Sequence, residues 1–368
     1  MEIFKKTLLG IFGAKASYTK ALGIDMGSSS IKFAEVSSSG GRFILDSYHI
    51  EPLPDKSISM GNIAEHMLVV DAVKRGLSSK DFRAKSNVSI VMPDSMVTIR
   101  EMSFFGNLAT SLEMKAESEA VQVTGNSIDE IAVDFCVDKH PKDSGKINLL
   151  LAIAKQDQVD ERAQVMRDAG VSPRILDIEL YAFHSMCARF LDLNSSLKSK
   201  DKIYLFVEFG HSKMLFLFMR GHDVVFTKEQ SFGASALNQE VQSELDTDFS
   251  SANRIIVGQD DAPEKYSERI LPEFVSECCA VVYRTLQLFY TTTFFIKIDA
   301  MFISGGGSKL SGLSSAIEEE VGVEVKPLEA FPEDDISSSI NRENFFSDLP
   351  RLTTAVGIAI RNLFHDAI

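Results

Sequence analysis

The chain has 368 residues, 45% of them hydrophobic and 24% charged, with a formal net charge of -14 and a pI near 5.0. That length exceeds what one simple core supports and points to two or more units, while the composition excludes disordered, fibrous and disulfide-dense classes. The acidic balance disfavours a broad grip on nucleic acid or on an anionic membrane.

The N-terminal stretch carries Lys5, Lys6 and a short apolar run from Leu8 to Ala14, loosely mimicking a secretory signal. The run is short and broken by glycine, so residues 1–19 are expected to be a disordered or weakly helical tail. From Lys20 the pattern becomes strand-like: Ala21 to Ile24, a polar turn Asp25-Met-Gly-Ser-Ser-Ser30, an alternating Ile31 to Val36, and a third strand from Phe43 to Ile50 after Gly40-Gly41. A helix is expected over Ile63 to Gly76, with Gly76 as its stop, and a strand over Asn87 to Met92 before Pro93.

Residues 104–175 have a different rhythm, with a helix over Leu108 to Val121, a strand over Ile131 to Val137 and a polar loop through Asp143 to Gly145. A strand over Ile147 to Ala154 and a helix over Gln158 to Ala169 follow, stopped by Gly170, then a strand over Ile175 to Ile178. After a polar linker, Leu193 to Lys202, the opening theme recurs: Tyr204 to Val207 runs into Glu208-Phe-Gly-His-Ser-Lys213, followed by the apolar Met214 to Met219. A helix is expected over Pro272 to Phe289, then a strand over Ala300 to Ile303 entering Ser304-Gly-Gly-Gly-Ser308. A helix from near Leu310 runs through Glu320, and a small-residue helix covers Thr353 to Phe364, where Ala355, Gly357 and Ala359 permit close packing.

No window approaches the roughly 18 apolar residues a membrane helix needs. The cysteines Cys136, Cys187, Cys278 and Cys279 form no CxxC pair, so reduced thiols in a cytosol are expected. The histidines show no metal-ligand spacing, and the acidic runs at Glu318 and Glu333 read as solvated surface.

Taken alone, each turn is an ordinary polar hairpin tip. Together they suggest a nucleotide site. Gly27 permits a backbone that exposes N–H groups to an anion, and Ser28, Ser29 and Ser30 add hydroxyls. A carboxylate such as Asp25 cannot itself favour phosphate, so its partner would be hydrated Mg²⁺. The second acid-x-Gly turn at Glu208 and a third element, Gly305-Gly306-Gly307 between strand and helix, raise the specificity. No P-loop or dinucleotide fingerprint is present.

The ordered set Leu22 to Lys32, Leu205 to Lys213 and Phe302 to Ser308 resembles the two phosphate motifs and the adenosine motif of actin-like ATPases. Within that superfamily the chain is similar to the PilM family of type IV pilus assembly, with further matches at Glu51 to Pro54, Glu130 to Phe135, Leu176 to Ala182 and Phe226 to Gly233. The resemblance implies an α/β, two-lobed actin-like ATPase fold with an inserted small α+β subdomain of SHS2 type. Its bounds would be a first lobe of residues 20–103 completed by 176–200 and 353–368, the insertion at 104–175 and a second lobe at 201–352. It implies ATP and Mg²⁺ as cofactors, with Asp25 and Glu208 holding Mg²⁺ through water. Gly27, Ser28, Ser29, Ser30, Lys32, Gly210, His211, Ser212, Gly233, Gly305, Gly306 and Gly307 would contact the nucleotide, and Glu179 and Glu208 would be water-orienting carboxylates.

The family usually has Asp where this chain has Glu208, and a proline-bearing segment is missing near Gln122 to Ile128. These departures favour binding over turnover. The implied partners are the cytoplasmic N-terminal tail of PilN, other inner-membrane pilus components and motor ATPases, at a cytoplasmic site peripheral to the inner membrane and in the service of twitching motility. Lobe closure would link nucleotide to partner affinity. Self-association stays open, as do three alternatives: a genuine ATPase, an actin-fold small-molecule kinase, and an FtsA-like membrane tether. The tether is disfavoured because no basic amphipathic tail follows the last expected helix.

Overall fold

The computed structural model describes residues 19–105, 111–137, 146–197, 199 and 201–365. Residues 1–18 of the expected tail and the polar loop at Asp143 to Gly145 lie outside them. The chain divides into two compact units: one takes the chain up to Ala182 with Asp335–Ser339 and everything from Thr354, the other Phe183–Asp334 with Ile340–Thr353.

In the first unit, β1 (Lys20–Met26), β2 (Ser30–Ser39) and β3 (Arg42–Pro52) form an antiparallel meander. A small ribbon, β4 (Ile58–Ser59) with β5 (Asn62–Ile63), leads into helix α1 (His66–Ser79). Strands β6 (Val88–Met92) and β10 (Pro173–Ile178) then extend the sheet in parallel beside β1, giving the order β10-β6-β1-β2-β3. Parallel neighbours need crossover connections, and α1 supplies the first of them.

Between β6 and β10 the chain builds a module of its own. Strands β7 (Val97–Phe105), β8 (Ile131–Val137) and β9 (Lys146–Lys155) pair antiparallel in the order β7-β9-β8. Helix α2 (Leu112–Thr124) buries Ala116 and Ala120 against Ile131, Phe135, Leu149, Leu151 and Ile153. Helix α3 (Gln156–Asp168) follows β9 without a loop, and its Val159, Val165 and Met166 join the main core of the unit with Leu22, Ile24 and Val73.

The second unit repeats the first sheet. After helix α4 (Glu179–Leu193), strands β11 (Ile203–Phe209), β12 (Met214–Arg220) and β13 (Asp223–Gln230) form the meander. Helices α5 (Ala234–Leu245), α6 (Phe249–Ile256) and α7 (Leu271–Thr292) precede β14 (Ala300–Ser304), and α8 (Leu313–Val321) precedes β15 (Val325–Pro327). The order β13-β12-β11-β14-β15 reproduces that of the first unit, with the last two strands again parallel. A Phe-rich core holds it, Phe206 stacking on Phe302 at 5.3 Å and Phe218 on Phe289 at 4.1 Å.

The final helix, α9 (Arg342–His365), meets β1 where the small-residue pattern allows it. A Cβ at Gly23 would lie 2.0 Å from the Ala355 carbonyl oxygen, so only glycine lets strand and helix backbones touch. This helix starts eleven residues before the expected Thr353 and carries Pro350 inside it. Gly76 does not stop α1; it lies buried in the last turn because a Cβ would lie 2.2 Å from the Phe33 ring. The helix also begins later than expected, at His66, since residues Asn62–Ile63 pair with Ile58–Ser59 across a turn at Gly61. Strand β7 escaped sequence reading because most of its side chains are exposed and its polarity does not alternate cleanly. Helices α4 and α6 and strands β13 and β15 likewise lie where the sequence pattern by itself predicts no element.

Candidate functional site

In the first unit the β1–β2 hairpin alternates apolar residues into the core, Leu22, Ile24 and Met26 being buried, and so turns Asp25 toward the opposite face. Asp25 stands directly across from Lys32 in the antiparallel register, and Lys32 Nζ donates to Asp25 Oδ2 at 3.0 Å. Both side chains are mostly covered, at 15% and 11% exposed. The turn closes with the Gly27 N–H donating to the Ser30 carbonyl at 3.2 Å. A Cβ at Gly27 would sit 2.4 Å from Lys32 Nζ, so glycine gives the ammonium its seat. Ser30 is only 2% exposed, yet among the described residues its Oγ has no hydrogen-bond partner. A buried hydroxyl left unsatisfied is costly, so this one calls for an explanation.

Glu179 opens α4 immediately after β10 and is a helix N-terminal residue rather than a loose strand end. Beside it, the Leu180 N–H donates to Asp94 Oδ1 at 3.1 Å. The interior of the same unit holds a cation that sequence reading missed. Arg162 on α3 is 2% exposed, and its guanidinium donates to the Gly61 carbonyl. Burial pushes its pKa down to about 10, against the pull of the Glu179, Glu161 and Asp25 charges. The missed signal was its position: Arg162 falls in the stripe of Val159, Ala163 and Met166, where a core-facing residue belongs.

In the second unit, β11 and β12 make the matching hairpin, with the Gly210 N–H donating to the Lys213 carbonyl at 2.9 Å and Lys213 Nζ paired with Glu229 at 2.7 Å. His211 and Ser212 form the tip, His211 meeting Phe249 edge-on at 6.2 Å. Helix α5 is pinned to this tip: the Ala234 N–H donates to the Gly210 carbonyl at 3.2 Å and the Ser235 N–H to the His211 carbonyl at 2.7 Å. Gly233 permits that approach, since its Cβ would fall 2.5 Å from the His211 oxygen. Cys187, whose thiol burial pushes far up, also feels the Glu208 charge.

Parallel pairing of β11 with β14 sets Glu208 across from Ser304 and brings the triple glycine to the same end of the sheet. The three glycines then differ. Gly305 has φ +84, and its Cβ would lie 2.3 Å from the Phe209 carbonyl oxygen; that of Gly307 would lie 2.7 Å from the Phe209 ring. Gly306 is open, meeting only Arg351 Cγ at 3.8 Å. Thus Glu208, Gly210, His211, Ser212, Gly233 and Gly305 to Gly307 share one end of the second sheet, while Asp25, Gly27 to Ser30 and Lys32 share the β1–β2 turn of the first.

The three-stranded module carries a groove of about 490 Å³ lined by Glu101, Met102, Ser103, Cys136, Asn148, Leu149 and Leu150. Its outer strands, β7 and β8, each have one unpaired edge in that sheet. Among the described residues no helix is long and apolar enough to cross a membrane.

Residues 23–363 match the family model described as type IV pilus assembly protein PilM. Among solved structures the chain is similar to one described as the PilM-PilN type IV pilus biogenesis complex, at 21% identity over 94% of this chain and 99% of that one, with a TM-score of 0.77. It is also similar to the ethanolamine utilization protein EutJ from Carboxydothermus hydrogenoformans, at 13% identity over 96% and 94%, with a TM-score of 0.55. The fold is the actin-like α/β fold in two units, and the two sheets repeat one strand order.

Proposed function

Because the chain belongs to the PilM family of type IV pilus assembly proteins, we propose that it serves there as an ATP-binding component that holds the cytoplasmic N-terminal tail of PilN. The observation that carries the nucleotide part is Ser30 Oγ, a buried donor without a partner beside a glycine turn and a lysine. Such a group fits a phosphate oxygen. The residues present suit the cofactor: Gly27 to Ser30 and Lys32 toward phosphate, and Gly306 as the open point of the triple glycine toward adenosine. Asp25 and Glu208 would hold Mg²⁺ through water, and the metal, when bound, supplies charge neutralisation for the phosphates. Lys32 then has two roles, counter-ion to Asp25 and ligand to phosphate.

Glu179 and Glu208 are proposed as the carboxylates that orient water, with turnover weak or absent. Nucleotide-linked closure of the two units, and a module of residues 104–175 acting as the partner-binding insertion, belong to the same proposal. Isothermal titration with Mg-ATP tests the site. Asp25→Asn and Ser30→Ala are each expected to weaken binding at least ~10-fold, one lost charge-assisted contact. Affinity unchanged in both variants would refute it.

The partner is proposed from the solved complex the chain is similar to, which contains PilN. The groove on the module suits an extended peptide, with Met102 and Leu150 for apolar side chains and Glu101 for a basic one, and the same three-stranded sheet has unpaired edges at β7 and β8 for backbone hydrogen bonds. Cys136 lines it and is partly exposed, whereas Cys187, Cys278 and Cys279 are buried. A synthetic PilN tail peptide should therefore protect Cys136 from alkylation, read by peptide mass mapping; equal labelling with and without saturating peptide would exclude this groove. Placement at the inner membrane follows through PilN, with other inner-membrane components and motor ATPases as further partners.

A further inference from the structure

We propose that Arg162 couples the phosphate turn to the peptide groove through the interior of the first unit, making it the positioning residue by which nucleotide occupancy alters partner affinity. The proposal rests on the preceding one, that nucleotide sits at the Asp25 turn and peptide in the module groove.

Arg162 stands where the two meet. Its helix, α3, continues from β9 with no loop, and β9 supplies Asn148, Leu149 and Leu150 to the groove. Its guanidinium donates to the Gly61 carbonyl and approaches Met96 Sδ at 3.7 Å. Met96 directly precedes β7, which supplies Glu101, Met102 and Ser103 to the other wall. The seat is closely packed: Gly61 has φ +84, and a Cβ there would lie 2.9 Å from Pro93 Cγ and 3.1 Å from Met96 Cε. A shift of the guanidinium is therefore felt first at Met96, the residue that leads into β7.

Arg162 has no carboxylate within ion-pair distance among the described residues, although it is 2% exposed. A buried charge without a direct partner is destabilising, and Met or Leu would fill this core-facing position without that penalty. Pro93, against which Gly61 packs, follows the end of β6, and β6 runs parallel beside β1 with Ile90 across from Ile24, next to Asp25. The Leu53 N–H, ahead of the β4–β5 ribbon, donates to the Ser29 carbonyl of the turn at 2.9 Å. From further off, the charges of Glu179, Glu161 and Asp25 partly oppose the effect of burial on the guanidinium. Two of those three belong to the proposed nucleotide site. In the weakly screened interior, a divalent cation beside Asp25 opposes the guanidinium and phosphate oxygens favour it, so occupancy of the turn changes how firmly Arg162 is held.

The test uses the full chain and a fluorescently labelled synthetic PilN tail peptide, with affinity measured by anisotropy without nucleotide and with saturating Mg-AMPPNP. The wild-type affinity ratio is expected to be at least about 5-fold, and Arg162→Met, similar in length and uncharged, should bring it within about 2-fold while still binding Mg-AMPPNP. Hydrogen exchange gives a second readout: nucleotide should change protection over residues 97–105 in the wild type and not in Arg162→Met. Should that variant fail to fold, Met96→Ala keeps the charge and removes the contact at the root of β7, and it too should lower the ratio. A wild-type ratio that survives both substitutions overturns the role of Arg162 alone, whereas a wild-type ratio of one overturns the nucleotide-linked partner binding as a whole.

Discussion

The triple glycine separates folding from ligand binding at adjacent positions. Gly305 has φ +84 with ψ 164, a region held almost only by glycine, where a side chain costs ~1–3 kcal/mol, and its Cβ would stand 2.3 Å from the Phe209 carbonyl oxygen, which is fixed in β11 and cannot swing away. The backbone must give, and a total near 3 kcal/mol is expected for Gly305→Ala. At roughly 2–4 °C per kcal/mol for a unit of this size, the melting temperature should fall by about 6–12 °C. Gly306→Ala meets only Arg351 Cγ at ordinary contact distance, so its stability should stay within about 0.5 kcal/mol of wild type. Thermal melts followed by fluorescence, with Mg-ATP titrations on both variants, provide the comparison. Gly306→Ala should retain the fold and lose affinity. If Gly305→Ala melts with the wild type, the packing of Phe209 against the glycine turn is wrong; if Gly306→Ala binds Mg-ATP as tightly as wild type, nucleotide does not approach the open glycine.

Asp177 is 1% exposed and accepts a hydrogen bond from Arg361 while its other oxygen accepts the Ile178 N–H at 2.8 Å. Asp177→Asn keeps the second contact and loses the ion pair, and chemical denaturation should show a loss of about 3 kcal/mol. Tyr181, under the Arg361 guanidinium, has its pKa raised by burial from 10.0 to about 12. Its stabilisation is full below pH 10 and disappears as pH rises toward 12, because the unfolded phenol ionises first. Tyr181→Phe should flatten the alkaline decline of stability over that window, and an unchanged slope would show that the ring is not shielded in solution.

Much of the fold is legible in the residues, for a simple physical reason. Apolar alternation and turn chemistry are local, so the β1–β2 and β11–β12 hairpins, the strand into the triple glycine and the long α7 follow from short stretches of chain. The family itself is carried by such local motifs. Less legible were elements whose burial depends on distant partners: β7 is largely exposed, α4 starts with no cap signal after β10, and Gly76 resembles a helix stop but is the place where Phe33 fits.

At the candidate site the division is similar. Residue type and spacing alone single out Asp25, Glu208 and the triple glycine, since a tight turn with an acid and hydroxyls is a local pattern. Tertiary structure alone decides that Lys32 faces Asp25, that Phe209 fills the space beside Gly305 and Gly307 so that only Gly306 is open, and that a guanidinium at position 162 lies inside the first unit within reach of the Glu179 and Asp25 charges. The reason is range: turns are set over a few residues, whereas close packing and buried charge are settled by groups far apart in the chain, where a single ångström changes the outcome.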